Sequence, residues 1–211
     1  MPIDLLAQIV VLIISLPMFG GLKLPYRLLI LQVFISLIID YIAYLVAQTS
    51  TSNEIVYNVY IILETSILCL VIYFSFVTGT VKKGIWIALM IYILIAIVFT
   101  STHDIYQLNY KLLISGFILI SILNLIYLIH PGINKSVLKN PLMIISIAHI
   151  IYFLGVTPYF IGRSLMIEKS PLMVNELFQY INKSLMYIRY GLIAIAFLLV
   201  WRNKFLLKTH E

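Results

Sequence analysis

Charge is scarce in this sequence: 10% of the 211 residues are Asp, Glu, Lys or Arg, against 63% hydrophobic, and the mean hydropathy is +1.08. Soluble domains carry roughly 25% charged and about 45–50% apolar residues, so a water-soluble fold could not cover this much apolar surface. A bilayer removes the need to cover it. Cysteine is rarer still. Cys69 stands alone inside an apolar run, which rules out an intramolecular disulfide and leaves the redox compartment unread. A basic cluster is also missing. The net charge of +6 comes from Lys and Arg scattered in ones and twos, whereas nucleic-acid binding needs a basic patch or groove. The excess reads instead as a topology signal and as contact with anionic lipid. Finally, no Lys or Arg precedes Lys23, and Asp4 lies near the start. A secretory signal would open on a basic segment, so the first apolar stretch is expected to remain as a helix.

What is present is a series of long apolar runs, near 3–19, 28–46, 55–77, 85–100, 110–129, 141–161 and 171–201. A spanning helix needs roughly 20 mostly apolar residues. The runs are too long for strands, and their polar residues do not alternate as in a membrane barrel. The expected fold is an all-α integral membrane protein, a single bundle of seven transmembrane helices that uses most of residues 1–211. Ser170-Pro171 suits a helix start, and the last run exceeds a span, so it should tilt or project. Pro158 should loosen the sixth helix toward its far end.

Orientation follows from the basic residues. Lys23, Arg27, Lys82, Lys83, Lys135, Lys139, Arg202, Lys204 and Lys208 fall at one end of the helices, and Lys111, Arg163 and Lys169 at the other. Nine against three predicts N-terminus out and C-terminus in. Trp86 and Trp201 fall at the inner interface. Tyr26, Tyr57, Tyr106, Tyr110 and Tyr159 lie near span ends, as interfacial anchors do. A three-plus-one-plus-three repeat is conceivable: the third and seventh helices run the same way, and each has an Asn near its outer end (Asn58, Asn175) with a charge deeper in.

A charge at mid-bilayer costs about 2.5–3.5 kcal/mol on insertion scales and normally faces a partner inside the bundle. The intramembrane polar residues are therefore the candidate site. Gln32, Ser36 and Asp40 step by four along the second helix, and Glu64 shares a face with Tyr57 and Tyr60 on the third. Ser121 and Asn124 are three apart on the fifth, and Ser146, His149 and Tyr152 three apart on the sixth. Asn175, Gln179, Asn182, Met186 and Arg189 form a stripe on the seventh, with Glu176 and Lys183 on an adjacent line. The expected binding cluster is Asp40, Glu64, Asn182, Lys183 and Arg189, with His149 a further candidate. It could receive a small polar ligand from the outer side or relay a proton. The structural alternative is a set of ion pairs and hydrogen bonds clamping helix seven to helices two and three, each contributing about 0.6–2 kcal/mol.

Other chemistries find less support. Lys183 with Glu64 invites a retinal Schiff base, but neither tryptophan lies mid-membrane and the rhodopsin patterns on helices three, six and seven are missing. Ser146 with His149 is too common a spacing to mark a hydrolase. His103, His130, His149 and His210 fall at different depths, so no metal centre, catalytic residue or cofactor is expected. Cys69 reads as core packing, and His103-Asp104 as a solvated outer loop.

The stretches LPYRLLILQVFISLIIDYIAYL, NEIVYNVYIILETSILCLVIYF, KNPLMIISIAHIIYFLGVTPYF and NELFQYINKSLMYIRYGLIAIAF resemble a group of small uncharacterised seven-transmembrane-helix proteins of Bacteroidetes-type bacteria. The likeness rests on the Asp of helix two, the Asn–Tyr–Leu-Glu run of helix three, Asn-Pro before helix six and the Asn-rich start of helix seven. Glu64 and Asn182 match the group's polar positions. Members often stand beside two-component regulators. The resemblance implies a bacterial inner-membrane protein that senses or assists signalling by contact with a partner membrane protein, such as a sensor kinase. A small solute or proton-coupled transporter and a purely structural subunit are the alternatives.

Overall fold

A computed structural model describes residues 3–49, 53–77, 79–102, 107–133, 136, 138–166 and 171–208. Among them the chain forms seven α-helices: α1 Ile3–Ser15, α2 Leu24–Gln48, α3 Glu54–Ser75, α4 Gly79–Thr102, α5 Tyr110–Ile129, α6 Leu142–Met166 and α7 Pro171–Lys208. A 3-10 segment, Leu16–Gly21, follows α1.

Among the described residues six stretches are long and apolar enough to cross a membrane: Leu24–Gln48, Glu54–Ser75, Gly79–Thr102, Tyr110–Ile129, Leu142–Arg163 and Tyr180–Asn203. The fold fits a multi-pass membrane protein whose outward faces are apolar. Ile87, Ile91, Leu94 and Ile97 on α4, and Ile122, Leu125 and Ile129 on α5, are all exposed. Such a surface would associate in water, and it needs no covering in lipid.

The first helix departs from expectation. A single helix over 3–19 was predicted, but the α-helix stops at Ser15 and the chain tightens into the 3-10 segment. Pro17 supplies the reason, since it lacks the N–H that would bond back four residues. Thirteen residues rise only about 20 Å, less than the ~30 Å hydrocarbon core. Arg27 ties off the 3-10 segment, donating to the Leu22 carbonyl from Nε and to the Gly20 carbonyl from Nη2, each at 2.8 Å. Pro158, by contrast, does not end α6, which runs through it to Met166. The seventh helix begins at Pro171 as expected. At 38 residues it is longer than a span requires, as the sequence led one to expect.

The helices pack as a ring in the order α1, α2, α3, α5, α6, α7, closed by α7 against α1, with α4 outside against α3 and α5. The two sets of three helices, α1–α3 and α5–α7, each make one half of this ring, with α4 between them in the chain. Gly116 on α5 lets α4 and α3 approach: a Cβ there would lie 2.6 Å from Thr65 Oγ1 and 3.0 Å from Tyr92 Oη. Cys69 lies in an apolar cluster with Ile72, Ile85, Leu89 and Leu123, as core packing. Tyr26 and Tyr159 fall near span ends as expected but face inward. Both are buried in the bundle, Tyr26 edge-on to Phe197 with ring centroids 6.2 Å apart.

Candidate functional site

The ring has a polar interior at mid-depth. Glu64 on α3 and Arg189 on α7 form a buried ion pair, Nη2 to Oε1, at 2.8 Å, with side chains 7% and 3% exposed. The same carboxylate oxygen accepts from Gln32 Nε2 of α2 at 3.0 Å, and that amide also donates to Tyr60 Oη at 3.2 Å. The guanidinium carbon lies 4.9 Å from the ring centroid of Tyr152, 4.8 Å from that of Phe153 and 5.5 Å from that of Tyr190. Aromatic faces carry negative charge density, so these rings offset part of the desolvation of the cation.

A second polar layer sits beside it. Gln8 on α1 donates from Nε2 to Asp40 Oδ2 at 2.6 Å and lies 3.2 Å from Ser36 Oγ and 3.3 Å from Tyr190 Oη. Ser36 Oγ and Tyr190 Oη are 3.1 Å apart. Toward the mouth, Tyr152 Oη donates to Asn182 Oδ1 at 3.1 Å, joining α6 to α7. Several buried polar atoms here have no protein partner: Gln8 Oε1, Gln32 Oε1 and Arg189 Nε. Buried polar groups are normally satisfied, so the network retains hydrogen-bonding capacity.

These groups border a cavity of about 440 Å³. It runs from Asn53 and Glu54, where α3 begins, past Tyr57, Asp40 and Lys183, to Gln8, Glu64, Arg189 and Tyr190. At the inner limit the space is filled by Leu29, Val33, Leu68, Ile145, Ile193 and Phe197, all almost fully buried. The cavity is thus open toward the end bearing the α2–α3 connection and closed by packed hydrocarbon toward the other.

Of the residues expected from the sequence, Asp40, Glu64, Asn182, Lys183 and Arg189 line one cavity. His149 does not line it. It is 1% exposed behind the wall, its ring 5.9 Å from that of Phe153, on which the Arg189 guanidinium rests. Helix seven packs on α1 and α6, and side chains tie it to the second and third helices as the structural alternative expected: Arg189 to Glu64 on α3 and Tyr190 to Ser36 on α2. Asn58 has a connecting job, since its amide donates to the Gln107 carbonyl and its carbonyl oxygen accepts from the Asn109 backbone N–H. Asn109 in turn caps α5 by accepting from Leu112 N. Ser121 and Asn124 bond back to carbonyls of their own helix. The expectations for His103, Asp104, Tyr106, Lys135, Lys169, Ser170 and His210, and for the side chains of Asn175, Gln179, Lys204 and Lys208, lie outside what the structure describes.

Sequence reasoning missed Gln8 and Tyr190. Gln8 could have been found, as the one polar residue between Asp4 and Ser15 on the first helix. Tyr190 carried no comparable signal among fifteen tyrosines. Among the described residues no group of three or more His, Cys, Asp or Glu is placed to hold a metal ion. No protein family, curated protein or solved structure matches the chain.

Proposed function

We propose that this chain is a bacterial inner-membrane protein of seven spans, N-terminus out, that takes a small polar ligand from the outer side and passes its occupancy to a partner membrane protein. The observation that carries the reading is the one-ended cavity, which reaches a buried ion pair at mid-depth and stops on packed hydrocarbon. A structural subunit needs no such void, and a void lined by charged groups inside a bundle does nothing for its packing. The orientation rests on the basic residues. Of those whose side chains are described, Lys23, Arg27, Lys82, Lys83, Lys139 and Arg202 flank the closed end, and Lys111 and Arg163 the open end. The seventh span is α1 completed by the 3-10 segment, together rising about 32 Å. The resemblance to seven-helix proteins beside two-component regulators supports a signalling partner.

A second reading, transport, is favoured by the ring order. Transporters are often built from repeats with the substrate site between them near the midplane, and Glu64 and Arg189 belong to the corresponding helices α3 and α7.

Native-membrane purification separates the two. A signalling accessory should bring down a larger membrane protein and show no solute flux in proteoliposomes. Flux that disappears in Glu64→Gln while the variant still purifies folded, with no co-purifying partner, would establish transport instead. For the orientation, Ala47→Cys at the cavity mouth should react with a membrane-impermeant thiol reagent added to spheroplasts. Reaction only after lysis would reverse it.

A further inference from the structure

The charges around the cavity are sorted by wall. The acids that line it, Asp40, Glu54 and Glu64, all lie on α2 and α3. The bases that line it, Arg163, Lys183 and Arg189, all lie on α6 and α7. In the ring these helix pairs stand opposite each other, with α1 and α5 closing the gaps between them. The side walls are nearly free of charge: α5 contributes Leu113 and Phe117, and α1 contributes Leu5 and Gln8. The formal charges of the lining sum to zero, three against three.

Glu64 and Arg189 meet in an ion pair at the inner end, and toward the mouth the two walls make a field across the cavity rather than a net potential within it. A single ion gains at one wall and is repelled by the other, and the short distances inside a low-dielectric bundle enlarge both effects. A molecule with a cationic and an anionic group on the same frame meets a favourable wall at each end. We infer that the ligand is a zwitterion of the amino-carboxylate class, its ammonium toward α2–α3 and its carboxylate toward α6–α7. This inference rests on the ligand-binding reading given above. The volume of about 440 Å³ suits a single amino acid or a short peptide. Tyr60, Tyr152 and Phe117 among the lining residues supply aromatic surface for an apolar side chain.

The test uses the full-length protein in lipid-free detergent micelles at low ionic strength and three probes sharing one phenyl-ethyl frame. L-phenylalanine carries both charges, phenethylamine only the ammonium, and 3-phenylpropionate only the carboxylate. L-phenylalanine at saturation should raise the unfolding midpoint by a few degrees, and calorimetry should show the other two binding at least about tenfold more weakly. Asp40→Asn should bring L-phenylalanine down toward the affinity of 3-phenylpropionate, and Lys183→Met toward that of phenethylamine. The wild-type ranking stands by itself should either variant fail to fold. Equal or tighter binding of a single-charge probe would overturn the zwitterion and leave the ligand-binding reading intact. No binding of L-phenylalanine would also overturn it, whereas the signalling and transport readings fail only on co-purification and flux. A zwitterionic lipid headgroup shares this chemistry. Competition between phosphatidylethanolamine in nanodiscs and L-phenylalanine would assign the site to the headgroup, and unchanged affinity there to the free amino acid.

Discussion

At the residue scale the protein turns on Arg189. Among the described residues it is the base deepest inside a spanning stretch, and its guanidinium is held by one carboxylate and three rings. Removing one member of a buried ion pair leaves an uncompensated charge and costs about 3–5 kcal/mol. Glu64→Gln should therefore lower stability in detergent by that order, read as the midpoint of chemical or thermal unfolding. The double variant Glu64→Gln, Arg189→Met should lose less than the sum of the single changes, because the orphaned cation is gone. Arg189→Lys should not rescue the site, since an ammonium lacks the planar face that lies against Tyr152 and Phe153. A double variant no better than the sum would show that the pair is energetically independent.

At the scale of elements, the tightest fit is where α3, α4 and α5 meet. Gly116→Ala places a methyl group within 2.6 Å of Thr65 Oγ1. Overpacking of this kind costs about 1–3 kcal/mol. Thr65→Ala removes the closer of the two opposing atoms, so Gly116→Ala should be milder in that background, a coupling that unfolding midpoints of the four proteins would reveal. The connection before α5 is a second such point. Asn109→Ala removes a cap and a bond to the Phe99 carbonyl, and should destabilise by about 1 kcal/mol or somewhat more, seen as faster hydrogen exchange in the first turn of α5. Pro17 explains why the first helix is short, and Pro17→Ala should extend α1 beyond Ser15, measurable as added protection at Leu16–Phe19.

At the scale of the whole molecule, much was legible in the sequence because lipid imposes it. Backbone groups in hydrocarbon must be satisfied within the segment, so each long apolar run had to become a helix, and the predicted bounds of the fifth, 110–129, coincide with α5. The intramembrane polar residues were legible for a related reason: a charge there is too costly to be incidental. Five of the six candidate residues accordingly line one cavity. Less visible was which residue faces which. Lys183 and Arg189 were both candidate partners for Glu64, and Arg189, six residues farther along α7, takes the carboxylate. Helix spacing ranks residues along one helix and says nothing of how neighbouring helices slide or rotate.

The sequence by itself determined the helices, their apolar outer faces and the polar seam, because these follow from the cost of exposing polar groups to hydrocarbon, a property of each segment alone. The tertiary structure decided the ring order, the outlying place of α4, the exclusion of His149 from the cavity and the recruitment of Gln8 and Tyr190. Those depend on contacts between residues up to 182 apart in the chain. In a bilayer, where lipid is as apolar as a neighbouring helix, such contacts are chosen by shape and by hydrogen bonds rather than by hydrophobicity.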